Sequence, residues 1–221
     1  MVDIFDEVTE DLRHDQAVAL AKRYGGYLLA ACVLTLVGVG AQQGWQQYQA
    51  NKADAAATQY LALTATTDQQ GATISADQAA AAAKALAGFA ATAPEGYKTI
   101  ADLRAAGLYA QANQPDQANA LWTAISADQK ADQTLRDLAT LLWAESAAGK
   151  APDDQVLAKL QPLTAATNPY HGLAREVQAL VYIHEGQPGL AKALIQEISA
   201  DPSAPDGVRN RAQGLLASLN G

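Results

Sequence analysis

The side chains best suited to chemistry in this chain are three histidines, His14, His171 and His184, and one cysteine, Cys32. A single cysteine can form no disulfide within the chain and cannot build a cysteine-based zinc site. His171 and His184 fall on one expected helix, about 20 Å apart by helical rise, so they cannot share a metal ion. Both are expected at the surface. None of the patterns G-x-S-x-G, P-loop or H-E-x-x-H occurs. Asp153 and Asp154 stand side by side where a helix N-terminus would favour negative charge, which explains them better than acid–base work does. Trp122, Trp143 and Tyr182 recur at helical spacing among Leu and Ala, as core residues do. The residues therefore point to no enzyme, no cofactor and no metal. A net charge of −8 argues against nucleic-acid binding, which needs clustered Lys and Arg.

The elements that must carry these residues are helices. Alanine dominates, aromatics make up 6%, and the β-branched and aromatic residues that fill sheets are scarce. The stretch "QPDQANALWTAISAD", from Gln114, returns 73 positions later as "QPGLAKALIQEISAD", from Gln187. Without a gap, Tyr97 aligns with Tyr170, Ala101 with Ala174, Ala106 with Ala179, and Tyr109 with Tyr182. Pro115 aligns with Pro188, Ala118 with Ala191, Leu121 with Leu194, and Asp128 with Asp201. Each copy reads as a helix, a turn at "NQP" or "GQP", and a second helix with proline in its first turn, where the missing N–H costs nothing. Between the copies, "LRDLATLLWAESAAGK" and "DDQVLAKLQPLT" form a degenerate unit with a turn at Pro152. Before them, "ISADQAAAAAKALAGFAATAPEG" gives a helix with Ser75 as N-cap, ended by Pro94 and Gly96. The last stretch, "APDGVRNRAQGLLASLN", reads as a capping helix. A helical hairpin of this length resembles the tetratricopeptide repeat, although the usual Trp and Leu-Gly of its first helix are missing.

A different signal lies upstream. No charged residue occurs from Tyr24 to Asn51, and the apolar run extends from Gly25 to Ala41. A helix from Tyr27 to Trp45 would rise about 28 Å, close to the hydrocarbon thickness of a bilayer. Tyr24 and Tyr27 at one end and Trp45 and Tyr48 at the other would form aromatic belts at the two interfaces. Arg13, Lys22 and Arg23 precede the run and only Lys52 closely follows it, which places the N-terminus inside. "VGA" before Gln42 also fits a signal-peptide cleavage site, but the long acidic leader favours an uncleaved anchor. Gly40 and Gly44 form a small-xxx-small pair compatible with self-association. Ile4, Phe5, Val8, Leu12 and Leu20 give the leader an amphipathic face. The expected architecture is all-α: a cytoplasmic segment over 1–23, a single transmembrane helix with its flanks over 24–48, and a periplasmic α-solenoid of tetratricopeptide-like hairpins over 49–221.

"DIFDEVTEDLRHDQAVALAKRYGGY", one apolar span ending in "GWQQYQ", and divergent tetratricopeptide-like units resemble the bacterial ancillary Sec-translocon subunit family. The resemblance covers essentially the whole chain. It implies an inner-membrane protein associated with the SecYEG channel and with periplasmic chaperones or exported clients. It offers no catalytic residue. A structural or coordinating role in cell-envelope assembly or division is the alternative reading. For an interaction scaffold, the groove candidates are residues of first helices outside the repeat core: Lys98, Arg104, Gln111, Glu176 and His184.

Overall fold

A computed structural model describes residues 4–65, 67 and 74–220; for residues 4–32 and 220 it describes the backbone, with side chains only at Arg23 and Gly26. All regular structure among these residues is helical. The chain divides into two compact units, Met1–Asp54 and Ala55–Gly221. Helix α1, Ile4–Thr64, supplies the first unit and the opening turns of the second.

In the first unit the described side chains from Val33 to Ala50 are all exposed. Val33, Leu34, Leu36, Val37 and Val39 are 48–73% exposed, and Trp45 and Tyr48 also face outward, their rings 6.1 Å apart. Lys52 Nζ lies 4.7 Å from the centre of the Tyr48 ring. Among the described residues, no helix is long and apolar enough to cross a membrane. Cys32 and residues 27–31, the leading part of the apolar run, have side chains outside the described set, as do Tyr24 and all residues before Arg23.

The second unit is a chain-ordered stack of helices. After the end of α1 come α2 (Ala76–Ala90), α3 (Glu95–Gln111), α4 (Pro115–Ala127), α5 (Gln133–Ala147), α6 (Asp153–Leu160), α7 (His171–His184), α8 (Pro188–Ala200) and α9 (Asp206–Asn220). A 3₁₀ turn, Gln161–Thr164, follows α6 directly. Pro162 explains the switch, because proline has no N–H for the α-helical bond. Helix α2 packs on α3, α3 on α4 and α4 on α5; α7 packs on α8, and α8 on α9. Helix α5 also meets α6 and α7, and α7 meets α9.

Local sequence sets the helix ends. Ser75 and Gln78 form a reciprocal capping box at the start of α2, each side chain satisfying the other's free N–H. Gly96 does not end α2; it lies in the first turn of α3, where Pro94 is the N-cap. Pro115 and Pro188 begin α4 and α8. The chain reaches them through a left-handed residue, Asn113 at φ 58° or Gly186 at φ 71°. Asn and Gly are the residues that adopt this conformation with least strain.

The 73-residue period is a period of backbone. Helices α4 and α8 share both ends in that frame, and so do α5 and α9. The turns match bond for bond. Gln114 N–H donates to Tyr109 O at 2.9 Å, and Gln187 N–H to Tyr182 O at 2.8 Å. Helix α9, expected as a cap, stands in that frame where α5 stands.

Small residues set the helix crossings. Ala101 and Ala174, Ala106 and Ala179, Ala118 and Ala191, and Ala139 and Ala212 are paired by the period and all 0–1% exposed. Larger side chains fill the spaces beside them. Trp122 and Ile125 sit among α3, α4 and α5 with Leu103, Tyr109 and Leu142. Ile195 and Ile198 sit among α7, α8 and α9 with Tyr182, Val208 and Leu215. Full burial of such a side chain contributes about 1.5–3 kcal/mol. Val156, Leu160 and Leu163 join α5 to α7 in a third cluster with Leu141 and Val177. At the array's start Tyr60 meets Phe89 and Tyr97, with ring centres 6.5 and 6.3 Å apart.

Candidate interaction surface

The five groove candidates lie on α3 and α7. Lys98 is one turn into α3, half-buried, and its Nζ donates to Asp128 Oδ2 at 3.1 Å across the α4–α5 loop. Glu95 Oε2 lies 3.7 Å from the same nitrogen. The hydrogen bond Lys98 donates to Asp128, the charge of Asp128 and that of Glu95 hold the Lys98 pKa above the ordinary lysine value. Arg104 is half-buried and Gln111 exposed. At about 100° per residue these two share a face of α3, whereas Lys98 points about 120° away. Glu176 of α7 is 9% exposed, and Arg211 of α9 takes up both its oxygens, Nε to Oε1 and Nη2 to Oε2, each at 2.6 Å. That hydrogen bonding raises the Arg211 pKa. His184, exposed at the end of α7, reaches Asp153 Oδ2 with Nδ1 at 2.9 Å. Lys98, Glu176 and His184 are thus already engaged within the array.

Of the two histidines expected at the surface, His171 is buried, at 7% exposure. It opens α7 and is enclosed by the loop before it and by the α8–α9 loop. Its Nδ1 lies 2.8 Å from Asn168 O, and its Nε2 3.1 Å from Asp201 Oδ2. Asp201 also accepts from the Ser203 hydroxyl at 2.5 Å and the Ser203 N–H at 2.8 Å. Those two bonds, then His171, pull its pKa down to about 2. Asp128 occupies the same place in the first copy and is likewise lowered, mainly by the Lys130 N–H and then by Lys98. The recurring aspartate was in the sequence alignment, but its partners lie 30 positions away and only the fold brings them in.

A small cavity of about 50 Å³ opens beside the Lys98–Asp128 pair, lined by Thr99, Asp102, Ile125 and Ala131 among others. Burial raises the Asp102 pKa, and Lys98 opposes the shift. A larger groove of about 450 Å³ runs between the end of α1 and α2, lined mostly by Ala62, Leu63, Ile74, Ala81, Ala82 and Ala85. Among the described residues no group of three or more His, Cys, Asp or Glu could hold a metal ion.

Stacked helical hairpins with alanines at their crossings are the architecture of a helical repeat. Residues 20–209 match the family described as a tetratricopeptide repeat-like domain, and the chain belongs to it. Comparison with curated proteins and with solved structures gave no match. The fold is that of a protein–protein interaction scaffold.

Proposed function

We propose that the chain is a membrane-tethered scaffold of the bacterial inner membrane, with residues 24–48 as its single span, its N-terminus cytoplasmic and its repeat array periplasmic. The observation that carries this reading is the uncharged apolar stretch whose described members, Val33 to Val39, stand exposed on their own unit. Exposed apolar side chains on every side of a helix need a nonaqueous neighbour. The aromatic residues at the ends and the basic flank supply the orientation. The matched family stretch takes in this run together with the repeats, so the two belong to one pattern. Tethering raises the effective concentration of the array near its clients, and individually weak contacts then suffice.

The resemblance noted in the N-terminal sequence extends the proposal to partners: SecYEG, periplasmic chaperones and exported chains. Gln111, exposed on α3, is the first residue to probe. A photoreactive amino acid at position 111, in the full chain in intact membranes, is expected to crosslink to channel subunits, chaperones or clients. Recovery of self-adducts alone would remove the partner assignment. Extraction of the protein by alkaline carbonate would remove the span.

A further inference from the structure

Positions 98 and 171 are one place in the repeat, and there the two copies differ in chemistry. In each copy this residue, near the start of the first helix, ties down the aspartate that ends the second: Lys98 to Asp128 and His171 to Asp201, both at 3.1 Å. A lysine keeps its charge throughout the physiological range, whereas imidazole gains and loses its proton between pH 5 and 8.

The surroundings of His171 call for the charged ring. Asn168 O can only accept, so the nitrogen facing it, Nδ1, carries a hydrogen. Asp201 as a carboxylate can only accept, so Nε2 carries one too. Both nitrogens donate at once only in the imidazolium. The neutral ring turns a bare nitrogen towards one of these two acceptors, lone pair against lone pair, in a site that is 7% exposed, although Asn168 O keeps the His171 N–H at 3.1 Å and Asp201 keeps Ser203. The Ser203 hydroxyl, 3.3 Å from Nε2, could turn to a bare nitrogen, but only by leaving Asp201 Oδ1.

Other charged groups reach this junction from α5, α7 and α9. From α5, Asp137 holds Asn168 through its Nδ2 at 2.8 Å. On α7 itself Arg175 reaches Thr164 O at 3.3 Å, and Tyr170 precedes the ring. From α9, Arg209 donates to the carbonyls of Asp201, Pro202 and Ala204 and pairs with Asp206. Of these charged groups only Asp201 bonds the ring.

We propose that His171 is a pH-responsive clasp: charged, it fastens the α8–α9 loop to the start of α7; neutral, it loosens that end of the array while the Lys98 clasp stays shut. The proposal does not depend on the membrane reading. A hydrogen bond to a charged group is worth enough that its loss changes local opening by about tenfold or more.

Hydrogen exchange of the full chain, as protection factors corrected for intrinsic rate, tests this at pH 5.5 and pH 8. Protection in α8, α9 and their loop is expected to fall about tenfold at the higher pH, and protection in α4 and α5 to stay level. His171→Lys should abolish the fall. Lys98→His should transfer it to α4 and α5, and it decides alone if the first variant does not fold. His184→Gln should change nothing, since that ring is exposed and its pair is screened. Equal change in both halves, a fall that survives His171→Lys, or no transfer in Lys98→His overturns the proposal.

Discussion

Residues 95–147 and 171–220 are two copies of one three-helix plan, and they solve the same packing problem with different side chains. The alanines at the crossings are common to both. Around them the first copy places Trp122 where the second has Ile195. The first has leucine at 103 and 138, where the second has Glu176 and Arg211. The first turns through Asn113 and the second through Gly186. Close approach of backbones is thus the fixed requirement of the repeat, and the filling of the spaces is negotiable. This follows from geometry: a Cβ too many at a crossing moves a whole helix, whereas a gap between helices accepts any side chain of suitable volume.

The largest expected effect separates the two fillings. Trp122→Ala should destabilise by about 3–5 kcal/mol and Ile195→Ala by about 2–5, with the lost core in different helices. Urea unfolding with exchange mapped along the chain would show which copy opens first. Loss of protection spread evenly over both copies would mean that they unfold as one unit.

Next comes the ion pair. Arg211→Leu leaves Glu176 buried without its partner and should cost about 2 kcal/mol, below the value for a fully buried pair because Arg211 is half exposed. The double variant Glu176→Leu with Arg211→Leu copies the first triplet and should return to within about 1 kcal/mol of the parent. A double variant as weak as the single would show that the second copy cannot accept the apolar filling of the first.

The turns give a smaller difference. Gly186→Ala should cost about 1 kcal/mol, and Asn113→Ala about half of that, since asparagine already bears part of the left-handed strain. Equal losses would contradict the distinction.

Much of this plan was legible in sequence. The turn prolines, the paired alanines and the ISAD ends keep their spacing over two helices, so the hairpins and their ends could be placed before any coordinates. The match of α9 to α5 was not legible. Arg136 and Arg209, Ala139 and Ala212, Leu142 and Leu215, and Ala144 and Ala217 agree, but the other residues of the two helices do not, and so few matches do not stand out. His171 lies next to a polar loop, and a lone histidine carries no sign of burial; the α8–α9 loop that encloses it is 30 positions away. The groove candidates were chosen as polar residues of first helices. The array had its own use for Lys98, Glu176 and His184 among them, because polar groups at helix ends and crossings find partners on neighbouring elements.

Acid should distinguish the copies least. The Asp201 pKa is depressed in the fold to about 2, from about 3.9 in an unfolded chain. Its contribution is therefore complete above about pH 4 and lost as the pH falls towards 2. Asp128 is shifted the same way. Circular dichroism between pH 4 and pH 2 should show a shallower acid transition in Asp201→Asn than in the parent, and overlapping curves would contradict the assignment.

The most direct test of the central claim, an array tethered across a bacterial inner membrane, is protease accessibility in spheroplasts carrying the full chain with a tag at each end. Protease added outside is expected to remove the C-terminal tag and the array while a fragment holding the N-terminal tag and residues 1–48 remains. An intact C-terminal tag that is lost only after the membrane is opened would contradict it.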